Sequence, residues 1–185
     1  ASLDVRGGGA ASFQNSTTFN VGSQANLGAS GDGFNMQGVT LNFDSGATAG
    51  LGTWEFQGSP ATLRFDLDAA GFTTIHTGVL KPEYGDLSQF SWVVDMTNYT
   101  GGAQTITLLD FSGLDGDGMT AAEFQSGTLT VLNYGNFNGC ALSWNESTLA
   151  VELIINEPIT APLGRRLFAD NFNDGKVVNG DFLLR

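Results

Sequence analysis

Basic residues are scarce in this chain. Seven Lys and Arg stand against nineteen Asp and Glu in 185 residues, a net charge of −12. The cations are scattered, so no basic stripe exists to neutralise a phosphate backbone, which argues against nucleic acid as a partner. The same deficit disfavours binding to an anionic membrane surface. Cysteine occurs once, at Cys140, which excludes an internal disulfide framework. It lies in NYGNFNGCALSW with no His nearby in sequence, the setting of a half-buried structural thiol. His76 is the only histidine, leaving little material for His-based triads or His-rich zinc sites. No window reaches the ~18–20 apolar residues of a membrane span. The glycines punctuate apolar runs instead of opening a helix, so nothing here cradles a nucleotide phosphate.

What is abundant points to strands. Glycine, at 26 residues, is roughly twice its usual ~7% share and shows no G-X-Y period, which excludes collagen. The apolar fraction of 41% suits one folded core, and the length suits one domain. Apolar and polar residues alternate through VTLNFD, GTWEFQG and TLRFDLD, and again through FSWVVDMT, QTITLLDF, GTLTVLNY, ALSWN and TLAVELII. This period of two places Val39, Leu41 and Phe43 on one face and Thr40, Asn42 and Asp44 on the other. Turn clusters such as DSGATAG and DAAG separate the runs, with strand centres about 10–14 residues apart, as in all-β folds. The last strand is apolar on both faces at Leu153–Ile155, which predicts cover on both sides. MTAAEFQSG predicts a short helix, capped by Thr120 with Glu123 completing a capping box.

Three segments result. Residues 1–33 form a Gly/Ser/Asn-rich arm, in which Phe13, Phe19 and Val21 mark brief strands. Residues 34–157 form the strand-rich core. Residues 158–185 form a linker, PITAPLGRR at its start, and a tail. The opening ASLDV reads as a chain cleaved after a small residue, which predicts export.

RFDLDAAGF (64–72), TITLLDFSG (105–113) and LSWNESTLAVELI (142–154) resemble the β-rich C-terminal regions of bacterial extracellular surface proteins of the autotransporter and PEP-CTERM type. The resemblance covers roughly two thirds of the chain. It implies an all-β fold outside the cell: a parallel β-solenoid with capping strands, or alternatively an antiparallel β-sandwich or jelly roll. The hydrophobic anchoring helix of the PEP-CTERM type has no counterpart in DFLLR.

The tail, FADNFNDGKVVNGDFLLR, is similar to one half of a dockerin-type calcium module, close to DxNxDGxVxxxDxxLL. That resemblance implies Asp174 as the third ligand, Gly175 at the turn, Val177 ligating through its carbonyl and Asp181 closing the loop. Upstream the register departs from the pattern, with Asp170, or Asn171 and Asn173, as the remaining candidates. One repeat of the usual two is visible, so the resemblance does not extend to cohesin binding. Asp115 and Asp117, in SGLDGDGMT, place oxygen ligands at alternate positions of a Gly-rich loop, a second candidate for Ca2+. An ordinary solvated turn gives the same pattern.

Other chemistry is thinner. Asp66 and Asp68 sit two apart and share a strand face, as a glycosidase pair requires, but so does any polar strand face. Trp54, Trp92 and Trp144 fall within alternating strands, which reads as core packing before a sugar platform. His76 reads as a surface or strand-end residue. Asn15, Asn98 and Asn145 head N-x-S/T triplets. The sequence therefore predicts a non-enzymatic, secreted structural protein that self-assembles into a surface layer, matrix or fibre, with other copies of itself as partner. The alternative is a calcium-dependent carbohydrate-binding or adhesion module whose partner is extracellular polysaccharide. A third reading is a hydrolase using Asp66 and Asp68.

Overall fold

The computed structural model describes residues 2–5, 11–14, 17–29, 34–50, 52–56, 61–82, 90–114, 128–135 and 137–157. Among these the chain is all-β, with fifteen strands, no helix and no closed barrel. The helix expected in MTAAEFQSG and the linker and tail at 158–185 lie outside the described residues.

The chain visits three open sheets in rotation. A seven-stranded sheet holds β2 (Ala11–Gln14), β5 (Phe34–Gln37), β8 (Trp54–Phe56), β10 (Ile75–Pro82) and β12 (Gln104–Leu114) side by side. A five-stranded sheet holds β3 (Thr18–Val21), β6 (Thr40–Asp44), β9 (Thr62–Asp66), β11 (Ser91–Asp95) and β13 (Thr128–Leu132). The third sheet joins β1 (Ser2–Val5), β4 (Asn26–Ala29) and β7 (Thr48–Ala49). Every pairing among these strands is parallel. Only β14 (Cys140–Asn145) and β15 (Ala150–Ile155) break the rule. They form a hairpin, add antiparallel to β12, and end the seven-stranded sheet in the order β12, β15, β14. Strands β1 to β4 fall in the stretch read as an arm, and they pair in register with later strands.

Register follows from the alternation, because a slip of one residue would turn every apolar side chain outward. In the five-stranded sheet Leu41, Leu63 and Trp92 share one position, and Phe43, Phe65 and Val94 share another. All six are buried. Aromatic rings continue this column: Phe43 stacks on Phe65 with centroids 5.8 Å apart, Phe65 on Trp92 at 6.3 Å, and Phe72 meets Phe65 edge-on at 5.4 Å. Such contacts add about 0.5–1.5 kcal/mol each beyond the burial of their area.

The turns are laddered as well. The Asp44 carbonyl accepts a hydrogen bond from the Ala47 amide, while Ser45 N–H donates to the Asp66 carbonyl and Gln24 N–H to that of Gly46. Gly46 has φ +86°, a conformation that costs a side-chain-bearing residue more than glycine. In β15, Leu153 and Ile155 are buried but Ile154 between them is half-exposed. The expectation of cover on both faces is therefore corrected: the far side of the strand faces outward.

Candidate functional site

The outward face of the five-stranded sheet carries a second set of columns. Thr18, Thr40, Thr62, Ser91 and Thr128 share one register position, and Asn20, Asn42 and Arg64 another. Asp44, Asp66 and Asp95 form a third. Neighbouring members are one strand spacing apart, about 4.8 Å, so like groups hydrogen-bond along the column: Asn42 Nδ2 donates to Asn20 Oδ1 at 2.7 Å. Asn20, Gly22, Asn42, Asp44, Arg64 and Asp66 line an open groove of about 540 Å³.

Arg64 organises the acidic column. Its Nε donates to Asp66 Oδ1 and its terminal nitrogen to Asp95 Oδ2, both at 2.7 Å. The hydrogen bond to Asp66, with further help from Asp95, outweighs burial and holds the guanidinium above its ordinary value. Burial works against the Asp95 carboxylate, yet Thr97 donates to it through both hydroxyl and amide, with Asn133 and Arg64 adding to the effect. The net result is an Asp95 carboxyl below the usual range.

Asp66 and Asp68 have separate duties. β9 ends at Asp66, and Asp68 belongs to the turn that follows. Asp68 accepts from Ser45 Oγ at 2.8 Å and from the Ala70 and Gly71 amides at 2.9 and 3.0 Å. The Ser45 hydroxyl, then these amides, lower its carboxyl below the ordinary value. One carboxylate is thus engaged by Arg64 and the other closes a turn.

The remaining sequence candidates are dispersed. His76 sits near the start of β10, exposed, with Nδ1 2.8 Å from Asp110 Oδ2 on β12. Trp54, Trp92 and Trp144 are buried, as alternation predicted, and offer no indole face to a sugar. Cys140 is half-buried, its Sγ 3.6 Å from Met96 Sδ, and burial pushes its thiol up. Asn98 is exposed in a turn, whereas Asn145 donates to Glu152 and accepts from Ser147, and Asn15 lies outside the described residues. So do all the calcium candidates: Asp115, Asp117, Asp170, Asn171, Asn173, Asp174, Val177 and Asp181. Among the described residues no group of three or more His, Cys, Asp and Glu is placed to hold a metal ion, and no helix is long and apolar enough to cross a membrane.

A second feature is the strand edges. Among the described residues β3 and β13 end the five-stranded sheet and β14 ends the seven-stranded one, each with a neighbour on one side only. At β13 and β14 the apolar columns also lose their cover. Leu129 and Val131 continue the buried positions of Trp92 and Val94 but are half-exposed, as are Phe137, Cys140 and Leu142. Tyr134 nearby is exposed at 47%.

A recurring T/S-apolar-x-apolar phrase could have revealed the ladder: TFNV, TLNF, TLRF, SWVV and TLTV. Its first three copies repeat every 22 residues, the separation of Asn20 and Asn42. No family model, no curated protein and no solved structure matches the chain.

Proposed function

We propose that this chain is a non-enzymatic structural protein of the cell exterior, coiled as a parallel β-solenoid and acting by self-association into a layer, matrix or fibre. The observation that carries the reading is the set of strand edges that have no partner among the described residues, beside which apolar residues stand half-covered. Edge N–H and C=O groups are a template for another strand, and stacking coils present one at each end. The rotation of the chain through three sheets and the parallel register of like residues support the solenoid. The resemblance of 64–72, 105–113 and 142–154 to bacterial surface proteins supports placement outside the cell.

Sedimentation velocity of the purified protein over a range of concentrations, with electron microscopy of the same samples, tests this. Concentration-dependent growth into ordered particles is the expected result. A stable monomer at every concentration removes the reading.

The groove over β3, β6 and β9 favours a second function, as a calcium-dependent carbohydrate-binding or adhesion module. Its amide, guanidinium and carboxylate groups supply donors and acceptors to a hydroxyl-rich polymer. Calcium would be held by the tail set or by Asp115 and Asp117. A glycan array read with Ca2+ and with chelator tests both parts: no binding in either condition rejects the module, and chelator-insensitive binding rejects the calcium.

A further inference from the structure

We infer that β14 is the strand through which two copies of this chain join, edge to edge and antiparallel about a twofold axis. This rests on the self-association proposed above and adds its joint.

Three observations single out β14. First, the hairpin carries the seven-stranded sheet two strands beyond β12, whereas the five-stranded sheet stops at β13, the next strand in the chain. Among the described residues β14 is therefore the outermost strand at that end. Its six residues, CALSWN, hold no charge and no proline and pair with β15 without a bulge, so the strand itself carries none of these three edge-blocking devices. Second, the apolar layer beside it is only half-covered at Leu129, Val131, Phe137, Cys140 and Leu142. At the opposite end one residue of β3, Phe19, is half-exposed while Val21 is buried, so the larger half-covered group lies beside β14. Third, a twofold axis can only pair a strand with its copy antiparallel. β14 lies in the one antiparallel part of the described residues, so a second β14 continues the alternation β12, β15, β14.

The side-chain period fixes the register. Cys140, Leu142 and Trp144 face one way, and they face their counterparts only if the paired residue numbers are of like parity. An axis through Leu142 sets Leu142 against Leu142 of the second copy and Cys140 against its Trp144. That choice covers both half-exposed apolar residues of the strand. It also sets Glu146 beside Asn138 of the second copy, an uncharged neighbour. In a chain of net charge −12, contact at an uncharged strand avoids the repulsion that other surfaces would meet.

The test uses the full chain and two variants, with light scattering for mass and circular dichroism for folding. Leu142→Lys brings two ammonium groups face to face and should halve the mass of the smallest assembled species while the β spectrum persists. Leu142→Cys in a Cys140→Ser background should form an interchain disulfide on mild oxidation, because directly opposed strand residues fall within disulfide reach. Cys140 of the wild type, displaced from its own copy, should not. If Leu142→Lys fails to fold, the disulfide decides alone. The joint is overturned, with self-association left standing, if the wild type assembles but the Leu142→Cys variant never crosslinks. A folded Leu142→Lys variant that keeps the wild-type mass overturns it in the same way. A wild type that stays monomeric overturns both.

Discussion

Phe43 and Phe65 occupy the same register position on the parallel strands β6 and β9, and their rings stack with centroids 5.8 Å apart. Both are fully buried, and Phe65 also meets Trp92 and Phe72. Phe65 is therefore the crossing point of the aromatic column. Phe65→Ala should cost about 3–5 kcal/mol, the range for deleting a buried ring, and Phe72→Ala, half-exposed, distinctly less. Urea denaturation of the two variants checks this. Equal losses would mean that the column does not concentrate stability at Phe65.

Acid should weaken the fold through Asp68 and Asp95. Both carboxyls are held below their ordinary value in the folded chain. A depressed folded pKa contributes stability that is complete above the unfolded value of about 3.9 and is lost as pH falls through the folded value. Thermal midpoints should therefore fall more steeply once pH drops below about 4. Asp95→Asn should lower the midpoint at pH 7 and flatten the acid slope. A variant that keeps the wild-type slope would show that Asp95 is not one of the groups responsible.

Gly101 marks the closest approach in the turn before β12. A Cβ there would lie 2.6–2.8 Å from the hydroxyl and ring of Tyr99. Tyr99 is buried, donates to the Gly102 carbonyl, accepts from Gln104 Nε2 at 2.7 Å and packs on Phe137. Gly101→Ala should displace this ring and cost about 1–3 kcal/mol, as overpacking does. Gly102→Ala, with nothing within 4 Å, is the control. The near-ultraviolet dichroism of Tyr99 should change in the first variant and not in the second.

Cys140 should react slowly in the folded protein. Burial raises its thiol above the ordinary value, which lowers the thiolate fraction at neutral pH. Alkylation at pH 8 should be much faster in denaturant than in buffer. Equal rates would place the thiol in solvent.

The alternation made most of the core legible. Leu41, Phe43, Leu63, Phe65 and Trp92 are buried because a strand with one covered face must alternate, and that period is visible in one dimension. The 22-residue recurrence was less visible, since later coils lengthen: the step from Thr62 to its partner Ser91 is 29 residues and that from Ser91 to Thr128 is 37. A ladder with unequal loops has no fixed period to find. Nor does spacing reveal that Arg64 reaches Asp95 across 31 residues, or that Asp68, two residues from Asp66, turns to Ser45 instead.

Composition and alternation by themselves determined that this is a strand-rich, acidic chain with a single cysteine, and they chose which residues face inward. Both properties are carried by each residue and its near neighbours. Which strands meet was decided only by the tertiary structure, because parallel pairing joins segments separated by whole coils. That pairing builds the Asn20–Asn42–Arg64 column, turns the chain back at β14 and β15, and, among the described residues, leaves β14 paired on one side only.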